Sequence, residues 1–332
     1  MTVSQRSDGA TAPKLDRAYY TVANAPYFLG TVALLNSLRR VGEDGALVVV
    51  DCGLTEEQRE LLSTRATVVD SEPGLHPLLQ KARGPYANPA KVMVFIDADI
   101  LVTRALDPIA RHAQTGRVVV FEDYGNPDRH FTEWSSLGLG QVPRRPYVNS
   151  GLFAFSWQTA DELLPIFLQM QQSVDVSSTF KAGGSPSHPL YFADQDLLNA
   201  LLCTHFDDRT TRLERRLAPF PPFTGIELTA GEPGLCTYAD GAAPFVLHHT
   251  YRKPWLASLE PNLYSRVFTI LMNDPDACLP IDPRRLPLRL TNRRLAPVDR
   301  WRAATQHAVH GRVRGKLKLR PRIARARARL AG

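Results

Sequence analysis

The sequence predicts a doubly wound α/β fold, with a mostly parallel, Rossmann-like central sheet flanked by helices. Strand and helix patterns alternate through the first seventy residues, the signature of βαβ units. The segments at 46–50 and 92–96 run apolar without alternation, as strands buried on both faces do. Several predicted strands end abruptly in acids or amides, which would gather polar groups along one sheet edge.

The elements follow in order. Residues 18–23 form a β-rich run, and Asn24 and Pro26 supply an N-cap and an early proline for a helix. Leu29, Val32, Leu35 and Leu38 recur at helical spacing. The strand at 46–51 turns at Cys52-Gly53, and Thr55 with Gln58 predicts a capping box. A short strand at 67–70 follows. The strand at 92–96 ends in Asp97-Ala98-Asp99, and one at 117–121 ends in Glu122-Asp123. An irregular stretch covers 125–146. Residues 152–155 are strand-like, 162–172 helical and 181–189 a Gly/Ser/Pro loop. Asp194 opens a helix, and residues 245–249 end a strand. Three units are expected: a disordered leader at 1–15, a catalytic domain at 16–275 and a Pro/Arg-rich basic tail at 276–332.

Composition excludes several classes. With 44% hydrophobic residues over 332 positions the chain can bury a large core, which rules out wholesale disorder. No run of eighteen apolar residues is present, and residues 1–16 lack an apolar signal core. The net charge of +7 is concentrated at one end. Residues 301–332 hold ten Lys or Arg and no acid, leaving 30 basic against 33 acidic residues before them, a net of −3. A slightly acidic body argues against a nucleic-acid groove and a specific nucleic-acid partner. The basic end fits an anionic membrane surface, a solvated tail or a polyanion site; Pro321 and sparse apolar residues argue against an inserted amphipathic helix. Cys52, Cys203, Cys236 and Cys278 are scattered without a C-x-x-C pair, so a zinc finger is not expected and a reducing, cytoplasmic setting is. Neither G-x-G-x-x-G nor a P-loop is present, which disfavours dinucleotide oxidoreductases and P-loop hydrolases.

Asp97 and Asp99 follow an apolar strand directly, so both carboxylates can reach one cation as the chain turns. Oxygen ligands suit Mn²⁺ or Mg²⁺, particularly beside a diphosphate; solvated turn acids give the same pattern. Asn149-Ser150-Gly151 is polar where a strand should continue. Asp194-Gln195-Asp196 places two acids and an amide at a helix start, where Asp194 could serve only as an N-cap. His248-His249 and Lys253-Pro254-Trp255 bring imidazole, cation and aromatic close together. Asp123 ends its strand at the same edge, as an acceptor-orienting group or an exposed turn acid.

Taken together and in this order, these segments resemble the GT-A glycosyltransferases of family 8, the glycogenin-like and lipopolysaccharide galactosyltransferase-like enzymes. The likeness runs from Arg17 to Trp255, about 240 residues, and includes Asn24 to Tyr27 and the Asp51-x-Gly53-Leu54 turn. It implies a GT-A fold and retaining transfer from a nucleoside-diphosphate sugar, UDP-hexose first, to a glycan, lipid-linked or secondary-metabolite hydroxyl. It also implies roles. Asp97, Asp99 and a histidine would hold Mn²⁺ (or Mg²⁺), with Ala98 between the acids touching the donor. Lys253 would contact the phosphates, and Asn24 and Tyr27 the nucleoside. Lys81, sixteen residues before Asp97, would contact the donor. Asn149, Asp194 and Gln195 would line the transferred sugar. One departure concerns the histidine: the family's glycine is missing and five positions, not six, separate His248 from Lys253. Either His248 or His249 could then be the ligand, and His248 is favoured because it follows the apolar strand directly.

Chemistry supports these roles independently. Breaking a nucleotide-sugar bond develops charge on the diphosphate, which a cation and Lys253 would stabilise. The sugar becomes oxocarbenium-like, which favours a nearby carboxylate or amide oxygen from Asp194 or Gln195. Two competing readings are a sugar-nucleotide pyrophosphorylase, against which the absence of a Gly-rich loop after the first strand argues, and a degenerate sugar-nucleotide-binding module attached by its basic tail to the inner face of a membrane.

Overall fold

The computed structural model describes residues 13–123, 125–229, 235–250, 253–256 and 262–286. Residues 1–12 of the expected leader and 287–332 of the expected basic tail therefore lie outside the described residues.

A seven-stranded sheet organises the chain. Its strands are β1 (Leu15–Ala23), β2 (Ala46–Asp51), β3 (Thr67–Asp70), β4 (Ala90–Ile96), β6 (Val118–Glu122), β7 (Val148–Ser156) and β8 (Thr210–Leu213), with β5 (Ile100–Val102), β9 (Ile226–Leu228), β10 (Cys236–Tyr238) and β11 (Val246–His248) pairing outside it. The order is β3-β2-β1-β4-β7-β6-β8. Pairing is parallel except at β7, which runs antiparallel to both β4 and β6. The reversal matters for function, because it brings the start of β7 to the edge where the parallel strands end.

Both sheet faces are covered, as the continuous apolar strands required. Tyr19, Val49, Val92, Val94 and Phe121 join one core with helices α1 (Phe28–Arg40) and α4 (Asp107–Gln114). Tyr20, Val48, Met93, Phe95 and Val120 point into the other, with helices α5 (Trp157–Gln172) and α6 (Asp194–His205). The capping box forms at α2 (Glu56–Ser63): Gln58 N–H donates to Thr55 Oγ1 at 3.3 Å and Thr55 N–H to Gln58 Oε1 at 3.1 Å. The five-residue α3 (Arg83–Ala87) leads into β4. Helix α7 (Leu263–Met272) packs on α1, so α1 is buried on two sides.

Some elements depart from expectation. Asn24 makes no capping bond; a 3₁₀ turn, Ala25–Tyr27, comes first, and α1 begins at Phe28. The compact part also continues past 275. Leu279, Ile281 and Leu286 are buried in the α1-side core, and Asn36 exchanges hydrogen bonds with the Leu279 backbone at 3.2 and 2.9 Å. Single apolar anchors between prolines carry no periodic pattern, so the sequence gives them the look of a tail. Among the described residues no helix is long and apolar enough to cross a membrane.

Candidate active site

A cleft of about 1040 Å³ opens over the edge where β1 and β4 end and β7 begins. Asn24, Tyr27, Lys81, Asp97, Ala98, Asp99, Asn149, Asp194, Gln195, His248 and Lys253 all line it, so every candidate site residue comes to one place.

The acidic centre is built by two short strands. After Asp99 the chain enters β5, which pairs antiparallel with β11 (Val246–His248), setting His248 opposite Ile100. Ligand atoms of Asp97, Asp99 and His248 thereby lie within 4.8 Å of one another. His248 Nε2 is 3.3 Å from Asp99 Oδ1, a buried oxygen with no hydrogen-bond partner. A neutral imidazole nitrogen and a carboxylate oxygen so placed repel unless a proton or cation lies between them. Two hard oxygens and an imidazole suit a divalent ion such as Mn²⁺, so these residues fit the metal. His249 is fully buried instead, set edge-on to Tyr264 and hydrogen-bonded through Nε2 to Asn262 at 3.0 Å. Burial, with Lys253 close by, pushes its pKa down to about 4.

Glycines make the approach possible. A Cβ on Gly151 would stand 2.4 Å from His248 Cε1, and one on Gly30 would stand 2.3 Å from Ala98 O and 2.6 Å from the Trp255 ring. Trp255 donates from Nε1 to Pro26 O at 2.8 Å and stacks on Phe268, fixing the segment after Lys253 against α1.

Two lysines hold the acids. Lys253 Nζ donates to Asp99 Oδ2 and to His249 O. Burial works against the Asp99 carboxylate, but Lys253 and His248 outweigh it and its pKa is lowered. Lys81, almost fully buried, bridges Asp97 Oδ1 at 2.9 Å and Asp194 Oδ2 at 2.8 Å and donates to Ser150 O at 2.9 Å. Desolvation raises the Asp97 carboxyl above the usual carboxylate range, with Lys81 opposing and Asp99 adding to the rise.

A second polar layer lies beside the acids. Asp194 is the first residue of α6, yet its carboxylate caps nothing; it accepts from Lys81 and from Ser150 Oγ at 2.8 Å. Gln195 Oε1 accepts from Asn149 Nδ2 at 2.9 Å and Ser150 N at 3.2 Å, while its Nε2 donates to Asp123 Oδ2 at 3.3 Å. Asp123 is buried rather than an exposed turn acid, and its Oδ1 accepts from Gly125 N and Asn126 N. Asn24 Oδ1 is buried without a partner at the β1 end of the cleft. Asp51 stays outside the cleft, closing its own turn through Gly53 N and Leu54 N. Ser150 and Phe220, set edge-on to His248 at 5.0 Å, are site residues that the sequence did not single out as functional. Ser150 sat inside a recognised motif; nothing local marks Phe220.

The arrangement defines the class by fold: a GT-A α/β domain with an acid-acid-histidine cluster at the sheet edge. Among solved structures the chain is similar to an active-site Gln→Glu mutant of LgtC, at 15% identity and a TM-score of 0.53 over 76% of this chain and 94% of that one. It is also similar to the bifunctional glycosyltransferase WbbM, at 15% identity and 0.51 over 79% of this chain and 50% of that one. A complex of the galactosyltransferase LgtC with donor and acceptor sugar analogues superposes at 0.48 with 14% identity, over 78% of this chain and 98% of that one. At these identities the likeness is one of fold. No protein-family model matches the chain, and a search of curated proteins finds no match.

Proposed function

We propose that the protein is a metal-dependent, retaining glycosyltransferase that moves a sugar, a hexose first, from a uridine diphosphate donor to a hydroxyl of a glycan, lipid-linked or secondary-metabolite acceptor. The observation that carries this reading is the convergence of Asp97, Asp99 and His248, with an orphaned Asp99 oxygen facing the imidazole, at the ligand-binding edge of a GT-A sheet. A divalent cation held by these three residues would supply Lewis-acid stabilisation of the departing diphosphate.

The chain's own residues do the rest. Lys253 sets a buried positive charge beside the leaving group, where the low local dielectric strengthens it. Asn24 and Tyr27, which line the cleft where β1 ends, would contact the nucleoside. Asp194 and Gln195 offer oxygen atoms to the electron-poor sugar as the bond breaks, and Lys81 with Ser150 fixes the Asp194 carboxylate so that it need not reorganise. The basic tail would attach the enzyme to an anionic membrane surface, each charge contributing about 1 kcal/mol there.

Thermal shift tests the reading. UDP with Mn²⁺ should raise Tm while neither alone does so comparably; at one hundred times Kd the stabilisation is about 2.7 kcal/mol. No shift with any nucleoside diphosphate or nucleotide sugar would refute donor binding.

A further inference from the structure

Ala193, immediately before Asp194, has φ 48° and ψ −115° and is fully buried. That conformation favours glycine, and an alanine is held there only where its surroundings over-determine it. The surroundings are specific. Asp196, wholly buried in the first turn of α6, accepts from Phe192 N at 2.7 Å and so fastens the residue before the strained one. Its carboxylate is held in turn by Arg129, through Nε at 2.6 Å and Nη2 at 2.9 Å, and by Tyr147 OH at 2.7 Å. The same guanidinium donates to Pro186 O and His188 O, both at 2.7 Å, and lies 4.9 Å over the Phe192 ring. Arg129 thus ties the irregular 125–146 stretch to the loop that delivers Asp194.

We propose that Arg129 is a positioning residue: through Asp196 it locks the strained turn at Ala193 and thereby aims Asp194 and Gln195 into the cleft. This role rests on the glycosyltransferase reading for what Asp194 and Gln195 do, but the mechanical part does not. A planar five-donor fork is required, because one group serves Asp196 and two carbonyls. Arg129→Lys keeps the buried charge and loses the fork. Substituting glycine for Ala193 removes the strain that the fork opposes.

The test combines hydrogen exchange with kinetics on the full chain. In Arg129→Lys the amides of Phe192, Gln195 and Leu197 should exchange faster than in wild type. With a turned-over UDP-sugar, kcat should fall about 100-fold for a misplacement near 1 Å, with KM for the donor little changed. Adding Ala193→Gly to Arg129→Lys should restore protection and most of kcat, a coupling that a general loss of stability would not produce. Wild-type exchange and kcat in Arg129→Lys would overturn the proposal, as would a double variant no better than Arg129→Lys alone. If wild type turns over no nucleotide sugar, the functional reading fails, and the exchange comparison alone decides the role of Arg129.

Discussion

Placing a methyl group on Gly151 tests the acidic centre from a position that is neither ligand nor base. The new Cβ would lie 2.4 Å from His248 Cε1, 2.9 Å from its Nδ1 and 2.8 Å from Asn149 Oδ1. Carbon–carbon contacts settle near 3.5 Å, so the imidazole or the strand must move by about 1 Å. Neither moves freely: His248 is buried against Phe220 and paired through β11 to β5, and Gly151 O accepts from Asp97 N at 2.7 Å. Overpacking of this kind costs about 1–3 kcal/mol, or about 2–12 °C in Tm for a domain of this size. Displacing a metal-orienting contact typically weakens metal affinity about 10–100-fold. Gly151→Ala should therefore lower Tm and weaken Mn²⁺-dependent UDP binding, both read by differential scanning fluorimetry with a Mn²⁺ titration. In His248→Ala the imidazole is gone, and adding Gly151→Ala should then lower Tm by less. An unchanged Tm and Mn²⁺ midpoint in Gly151→Ala would refute the packing argument and the placement of His248 in the metal set.

Two further outcomes follow. Asp194→Asn should leave the Mn²⁺-dependent UDP shift in place while transfer slows strongly, because it removes charge at the sugar but not at the diphosphate; unchanged turnover would remove Asp194 from the chemistry. Deleting residues 301–332 should abolish co-sedimentation with anionic vesicles at low salt and leave nucleotide binding intact; undiminished sedimentation would show that the ten basic residues are not the anchor.

Much of the site was legible because its residues stand at strand ends, where an apolar run stops at a polar group. Asp97, Asp99 and Asn149 announce themselves in this way, Asp194 does so as an acid at a helix start, and the Thr55 capping box was readable because both partners lie within one turn. What escaped depends on distance along the chain. The preference for His248 over His249 had only the preceding strand to rest on; the β5–β11 pairing that puts His248 beside Asp99 joins segments far apart in sequence. Lys81 was placed by family spacing alone, and its bridging of Asp97 and Asp194 needed the start of β7 brought to the same edge. Asn24 misled because a polar residue before proline reads as a cap, while here the residue lines the cleft and its amide oxygen is buried without a partner. Arg129 lay in a stretch with no period at all, and nothing local links it to Asp196.

Under the proposed function, the two lysines set how metal and nucleotide should bind. Asp97, Asp99 and Asp194 crowd one edge, and Lys81 and Lys253 offset most of their charge. A divalent cation arriving alone would meet carboxylates already neutralised by ammonium groups, so its gain is small. A diphosphate arriving alone would find both ammonium groups engaged and one carboxylate charge left over, and would be repelled. With both present, Asp97 and Asp99 would hold the cation, the diphosphate would offer Lys253 a replacement anion, and the net charge of the site would hardly change. Mn²⁺ and UDP should therefore bind cooperatively, each raising the affinity of the other by the same factor, with a coupling of about 1–3 kcal/mol. Lys253→Met should reverse the order: with Asp99 unneutralised, Mn²⁺ alone binds more tightly than in wild type, while UDP gains less from its presence. Calorimetric titration of each ligand with and without the other measures both couplings. Independent binding in wild type, or weaker Mn²⁺ binding in Lys253→Met, would mean that the ammonium does not stand in for the cation and that charge balance does not govern this site.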